Sequence, residues 1–347
     1  MEAEHSDTRE GAVSAVTSEF NKEVLGRLKP FGTPSNAVAY GELSLSIIAV
    51  FTLTLVDYFV LAAKSNLAPI LLIPCWGLTG LLIVKLFTIQ HDCGHGSFFS
   101  SPHANMIVGR FCSLFTFIPY TAWRREHAEH HAVFSNIDNQ TFGDILVLSA
   151  SRYRQLPETK KLLYRIFRSP IFLLVLAPLL YIVVRQRIPS KATKQRILSC
   201  FSHTGSLLLA YGYASYALGF GVVISIILPS LYVAAATGVL IFSIEHQFER
   251  SEWRRGSEWD FINACINGSS FFILPFPFEW LTGNIGYHHL HHLQPKIPSY
   301  RLKKSFLETQ EFILGRRVTW KDWIASLNLG LYDDESGRLV TIKKALE

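Results

Sequence analysis

Three short histidine-rich stretches carry the chemistry this chain could do. His91 and His95 in HDCGH stand at i, i+4, while His127, His130 and His131 in HAEHH stand at i, i+3 and i+4. His288, His291 and His292 in HHLHH repeat the second spacing. On a helix such spacings share one face, so the imidazoles can converge on a metal. The chain has thirteen histidines, and these stretches hold nine of them, His289 included. A solvated basic patch accounts for one isolated pair, but poorly for two copies of one spacing. Eight imidazoles exceed the four ligands that one zinc takes. They suit two ions of intermediate softness, and imidazole serves iron, copper, nickel and zinc. His289 and His292 are also i, i+3 and offer an alternative face. The spacing in HAEHH favours His288, His291 and His292 and turns His289 about 100° away.

The elements that must position these residues are apolar. Apolar residues make up 49% of the chain and charged residues only 17%, which points to a membrane protein. The five cysteines are scattered without a CxxC pair, so neither a disulfide framework nor a zinc ribbon is indicated. The net charge of +6 suits an anionic membrane surface or an acidic protein partner, and no nucleic-acid partner is expected. The acidic, polar start MEAEHSDTREGAVSAV predicts no cleavable signal peptide, and His5 within it reads as solvated.

Four apolar runs reach bilayer length: 43–63, 68–90, 197–218 and 220–244. The expected fold is an all-α integral membrane protein with four spans and a helical cap. Residues 1–42 form an N-terminal segment, 43–302 the membrane domain and 303–347 a tail. Asp57 sits towards the far end of the first span and is expected to snorkel to the interface. His203 in the third span is expected to be hydrogen-bonded within the bundle, and His103 to lie on the surface. Two shorter runs, 107–119 and 170–184, read as interfacial or re-entrant helices. The aromatic stretch FFILPFPFEW (271–280) suits the membrane interface. The two turns opposite the 91–196 segment contain Lys64 as their one basic residue, whereas that segment is rich in arginine and lysine. The positive-inside rule therefore places segments 91–196 and 245–302, and both termini, in the cytoplasm. His91, His246, HAEHH and HHLHH then all reach the same side.

HDCGH, HAEHH and HHLHH resemble the three histidine boxes of the membrane fatty-acid desaturases. HDCGHGSFF, WRREHAEHH, EHQFE and WLTGNIGYHHLHHLQPKIPSY extend the resemblance towards the bacterial acyl-lipid desaturases, over most of the chain from about Phe87 to Leu302. Glu245 departs from the pattern, standing where the family usually has glutamine. The residues after HAEHH also follow the pattern loosely, which bears on double-bond position.

The resemblance implies a di-iron centre on His91, His95, His127, His130, His131, His288, His291 and His292. It adds His246, the histidine of the EHQFE segment, as a further ligand. It also implies O₂ as co-substrate, membrane lipid acyl chains as substrate, a bacterial inner-membrane location, and ferredoxin or flavodoxin as external electron donor. No GxGxxG or HPGG motif marks a fused redox domain. Arg254 and Arg255 are candidates for docking an acidic donor. The chemistry matches the ligand set. Desaturation removes two hydrogens from unactivated CH₂ groups, which no side-chain acid or base can do, so the oxidant must come from a cofactor that the protein positions. Asp92, Glu126, Glu129 and Glu245 adjoin the proposed ligands and could accept hydrogen bonds from them. Asn284, one helical turn before His288, could hold a water on one iron. A hydroxylase or carotenoid ketolase on the same scaffold is the alternative enzyme. A non-catalytic metal-binding membrane protein is the alternative of another class, though it would want polar residues at mid-membrane rather than at one face.

Overall fold

A computed structural model of the chain describes residues 22–141, 144–189, 191 and 193–347. His5 and the polar start of the chain lie outside the described residues. The protein is mainly helical. Helices α1 (Asn36–Ala62), α2 (Ala68–His95), α3 (Pro102–Thr116) and α4 (Tyr120–Val133) are followed by α5 (Glu158–Phe167). Then come α6 (Lys194–Leu218), α7 (Phe220–His246), α8 (Phe261–Asn267), α9 (His288–Leu293), α10 (Ser299–Thr309) and α11 (Trp320–Ser326).

Among the described residues, three helices, α1, α2 and α7, are long and apolar enough to cross a membrane. The first begins at Asn36 rather than at 43. Each has 27 or 28 residues, or about 40 Å at 1.5 Å per residue, so each overshoots a hydrocarbon core of about 30 Å. The extra length is enough to carry the helix ends that bear His91, His95 and His246 beyond such a core. Helix α6, the expected third span, forms without a break, but its serines and His203 leave it less apolar than the other three. It still turns Phe201, Leu208, Leu209, Tyr213 and Tyr216 outward. His203 is buried within the bundle, where Nε2 lies 2.9 Å from the Ser113 carbonyl and Nδ1 lies 3.1 Å from the Arg187 guanidinium. His103 is exposed, as expected. The 170–184 run is an irregular helix that forms a bent pair with α5, the two inclined at 58°.

Two expectations are corrected here. Asp57 does not snorkel: it is fully buried, and neither carboxylate oxygen has a hydrogen-bond partner among the described residues. Its position on the helix explains this. Ala39, Ser46, Val50 and Asp57 form one buried stripe along α1, and a residue on that stripe points into the bundle. The C-terminal stretch is not a separate tail either. Helix α10 runs across the expected boundary at 302. Beyond it, β4 (Leu329–Asp333) and β5 (Arg338–Thr341) form a small sheet with β1 (Leu148–Ser149), β4 lying between the other two. A second pair, β2 (Ser270–Phe271) and β3 (Arg316–Arg317), is parallel. These strands hold the segments between the helices in a cap over one end of the bundle.

Candidate metal centre

The ends of α2 and α7 project from the bundle on the same side, and α4 and α9 lie across them. Helix α4 is tied to the end of α2 by three side chains. Tyr120 Oη donates to the Cys93 carbonyl (2.9 Å), Arg124 Nε donates to the Gly94 carbonyl (2.8 Å), and Trp123 packs its ring beside His91. The sequence before α9 is fixed by close backbone approach. Gly283 has a φ of +64° and lies against Thr88 of α2, where a Cβ would overlap that side chain. Gly286 lies against the Phe272 carbonyl, and its own carbonyl accepts from the Phe272 N–H at 2.7 Å. Glu279 then holds Tyr287, the residue preceding α9, through a 2.7 Å bond from the phenol. The glycines of GNIG are therefore what allow HHLHH to sit beneath the other boxes.

Nine histidines meet there in two groups. One contains His91, His95, His127, His131 and His291; the other contains His130, His246 and His292, with His288 and Glu245 joined to His246. Each HxxHH stretch is split between them rather than converging whole on one point, as a shared helix face had implied. Helix α4 sends its i and i+4 residues to the first group and its i+3 residue to the second. Helix α9 does the reverse. The reason is angular: i+4 lies about 40° from i, whereas i+3 lies about 60° away on the other side. An i, i+4 pair can share one ion while i+3 reaches a neighbour.

The donor atoms are the Nε2 nitrogens. His127 Nε2 lies 2.9 Å from that of His91, 3.0 Å from that of His95 and 3.0 Å from that of His131. His131 and His291 are 3.1 Å apart, and His288 is 2.9 Å from both His246 and His292. A neutral imidazole has one N–H and one lone pair, so His127 Nε2 cannot hydrogen-bond to three other nitrogens at once. These atoms are instead spaced as ligands around a point. Two nitrogens at right angles on an ion about 2.1 Å away would be about 3.0 Å apart, whereas a tetrahedron would set them about 3.4 Å apart. The residues present thus fit ions of more than four ligands.

Burial, reinforced by mutual repulsion between histidines, holds His127, His131, His288, His291 and His292 well below the usual imidazole range. Aromatic rings close the site to water: Trp123 stacks on His127 with centroids 4.6 Å apart, and Phe134 packs on His292 at 3.9 Å.

Three carboxylates stand behind three of the rings. Asp92 Oδ1 is 3.3 Å from His91 Nδ1, while Oδ2 accepts from the Ser299 N–H at 2.6 Å. Asp144 Oδ1 is 2.7 Å from His130 Nδ1, leaving His130 Nε2 buried and without a partner in the direction of its group. Thr141 fixes the other Asp144 oxygen through its N–H (2.7 Å) and hydroxyl (2.9 Å). Glu245 Oε1 is 3.4 Å from His288 Nδ1. Sequence reasoning missed Asp144, which reaches His130 from an irregular loop that follows no helical or strand spacing.

Other residues fall elsewhere. Glu129 faces outward, bonded to Lys191 (3.1 Å) and Arg196 (2.5 Å), because it lies on the opposite side of α4 from the ligands. Glu126 is buried near Tyr181 and Arg185. Asn284 does not stand one helical turn before His288, since the helix starts at His288 itself. Asn284 adopts a left-handed φ of +56°, and its amide donates to the Ser299 carbonyl at 3.0 Å. His289 is fully buried outside both groups, between Phe271 and Phe306. Arg255 is occupied by Asp138 and Asp334, and Arg254 by Glu252.

Comparison with known proteins agrees with this geometry. A Bacillus subtilis fatty acid desaturase is 30% identical over 330 residues, which cover 93% of this chain and 91% of the relative. A Synechocystis sn-1 acyl-lipid omega-3 desaturase (ferredoxin) is 26% identical over 71% of this chain and 69% of its own length. An Arabidopsis thaliana acyl-lipid omega-3 desaturase (cytochrome b5) of the endoplasmic reticulum is 28% identical; the match covers 70% of this chain and 64% of the relative. The pattern of the fatty acid desaturase family matches residues 67–322, from the start of α2 through both histidine groups and into α11. With that span of sequence covering the whole metal centre, the chain belongs to the fatty acid desaturase family.

Proposed function

We propose that the protein introduces a cis double bond into the acyl chain of a membrane lipid, using two iron ions, O₂ and electrons from an external donor. The observation that carries this reading is the pair of histidine groups at the projecting ends of two membrane helices. His91, His95, His127, His131 and His291 would hold one ion. His130, His246, His288 and His292 would hold the other. When bound, the iron pair supplies the oxidising power, derived from O₂, that alkane C–H bonds require.

The chain's own residues do the rest. Burial favours the neutral form of His127, His131, His288, His291 and His292, so their lone pairs are available without losing a proton. Asp92 and Asp144 orient His91 and His130 from behind and fix which ring nitrogen carries the proton, and Glu245 stands behind His288 at 3.4 Å. Trp123 and Phe134 keep water from the centre. The relatives include one whose name specifies ferredoxin and one that specifies cytochrome b5. For this chain, ferredoxin or flavodoxin is the external donor proposed, in line with the ferredoxin named for the Synechocystis relative. The metal centre faces the cytoplasm of a bacterial inner membrane.

Expression in a host without polyunsaturated lipids tests the reaction. Mass spectrometry of intact lipids and their acyl chains should find a new double bond that depends on His130. Unchanged lipids, with correctly inserted and iron-loaded protein, would remove the reading. Cysteine labelling tests orientation: the 64–67 turn should react from outside, and an Arg152→Cys variant only from the cytoplasm.

A further inference from the structure

Outside the metal centre, a cavity of about 640 Å³ opens beside β3. Its inner wall is aromatic, formed by Phe248, Phe271 and Phe306, and its polar side carries Arg250, Arg316 and Arg317. All three arginines are exposed. Two acids also line it, Glu249 and Asp322. Asp322 is already engaged in capping α11, accepting from the Thr319 N–H (2.8 Å) and hydroxyl (2.7 Å). Arg316 reaches Glu252 at only 3.4 Å, a weak hold.

The depth of this cavity is set by the fold. Its lining starts at Phe248, directly after the end of α7 at His246. Since α7 overshoots the hydrocarbon core, Phe248–Arg250 lie at headgroup level. The surroundings match an interface: Ile273, Phe276, Leu314, Trp320 and Ile324 are all exposed. Exposed aromatic and aliphatic side chains at this level suit contact with a lipid surface. The cavity is also one side-chain layer from the metal centre. Phe271 packs on His289 at 5.3 Å, His289 lies under Gly315, and the next residue back is His288. The backbone of two of the arginines is positioned by β3 pairing with β2, which sets Arg316 opposite Ser270 and Arg317 opposite Phe271.

A site with an aromatic wall, guanidinium groups on one side and a lipid-facing rim fits an amphiphile with an anionic head. Guanidinium matches phosphate geometry, and the volume exceeds what phosphate alone would fill. We propose that this cavity seats the phosphate and glycerol of the glycerophospholipid whose acyl chain is desaturated. The inference rests on the acyl-lipid reading and adds to it the means by which the headgroup end is held at a fixed distance from the irons.

The test measures binding, so it does not depend on turnover. The full-length, iron-loaded protein in uncharged detergent is titrated calorimetrically with three probes. These are a short-chain phosphatidylglycerol below its micelle concentration, the matching diacylglycerol, and inorganic phosphate. The phospholipid should bind at least ten-fold more tightly than either of the others. Joint Arg250→Gln, Arg316→Gln and Arg317→Gln should weaken it at least ten-fold with bound iron unchanged. Removing three charges elsewhere, by Lys194→Gln, Lys343→Gln and Lys344→Gln, should not. Gln310→Trp, which fills the cavity and spares the arginines, should also weaken the phospholipid. Equal binding of inorganic phosphate would mark a simple anion site and overturn the proposal, as would undiminished lipid binding in the triple variant. If that variant bound lipid normally but lost turnover with reduced ferredoxin, the face would dock the donor instead. Failure of desaturation with lipid binding intact would instead count against the acyl-lipid reading alone.

Discussion

The two halves of the metal centre are built from one motif used in opposite senses. In the first group, α2 gives an i, i+4 pair, α4 gives another, and α9 gives its i+3 residue. In the second, α9 gives the i, i+4 pair, α4 gives its i+3 residue, and α7 adds His246. The first half therefore has five imidazoles and the second four. The second also has the one short carboxylate bond, Asp144 at 2.7 Å from His130, against Asp92 at 3.3 Å from His91, while Glu245 stands at 3.4 Å from His288. Ligand number secures one ion and outer hydrogen bonds secure the other. A pair of unequal sites is the result, and the inequality can be measured.

The largest effect should come from removing one ligand from each half. His291→Ala and His130→Ala are both expected to abolish desaturation. They should differ in bound iron. The five-ligand half keeps four imidazoles after His291→Ala. The other half falls to three after His130→Ala, so that variant should retain about one iron per chain. Elemental analysis of purified protein, with lipid mass spectrometry, checks both. Stoichiometric zinc in a protein shown to be active would defeat the iron assignment for either half.

His246 separates the halves in another way, because it is the one proposed ligand outside the three motifs. His246→Ala should lose desaturation as completely as His130→Ala, with less iron bound. His203→Ala is the control, since that ring bonds to Ser113 and Arg187 far from either group. It should keep substantial activity at a stability cost of about 1–3 kcal/mol. Near-normal activity and iron in His246→Ala would reduce the second half to three imidazoles.

Acid should act on both halves, and on the first more strongly. In the metal-free protein, burial holds His127, His131 and His291 of the first group well below the usual imidazole pKa, and His288 and His292 of the second likewise. Unfolding restores ordinary values near 6.5. Below about pH 6.5 the unfolded chain then binds more protons than the folded one, so stability falls as pH falls. Thermal unfolding of metal-free protein should show a lower midpoint at pH 5.5 than at 7.5. A higher midpoint at pH 5.5 would contradict the burial of neutral imidazoles.

How much of this was legible depends on what kind of residue carried it. The histidine motifs could be read because metal ligation demands a residue type at a fixed helical spacing, and helices α2, α4 and α9 preserve that spacing. The membrane spans could be read because length and apolarity follow from bilayer thickness. The division of each HxxHH between two ions could not, because it depends on how α4 and α9 cross. Asp144 was invisible for a related reason: its loop has no periodicity, and its use arises only where that loop returns to α4. Asn284 is not one helical turn before His288 because the helix starts at His288 and Asn284 itself is left-handed, which spacing alone does not reveal. Position along the span suggests snorkelling for Asp57, but its place around the helix, on the buried stripe of α1, decides otherwise.

The smallest effects should come from the carboxylates, and they sharpen the comparison most finely. Asp144→Asn leaves the size of the side chain unchanged but removes its charge. His130 then loses a charge-assisted partner at 2.7 Å, and removal of such a partner typically costs 10–100-fold in metal affinity. Competition with a chelator of known affinity would read this directly, whether or not the variant turns over. Glu245→Gln should cost less. At 3.4 Å from His288 its interaction lies beyond ordinary hydrogen-bond length, and the glutamine that the family usually carries there can still accept from the imidazole. The expected loss is under about 10-fold, with desaturation retained. If Glu245→Gln instead removed iron as thoroughly as His130→Ala, the carboxylate would be a ligand in its own right. The two halves would then have five donors each, and the asymmetry would lie in donor charge rather than in number.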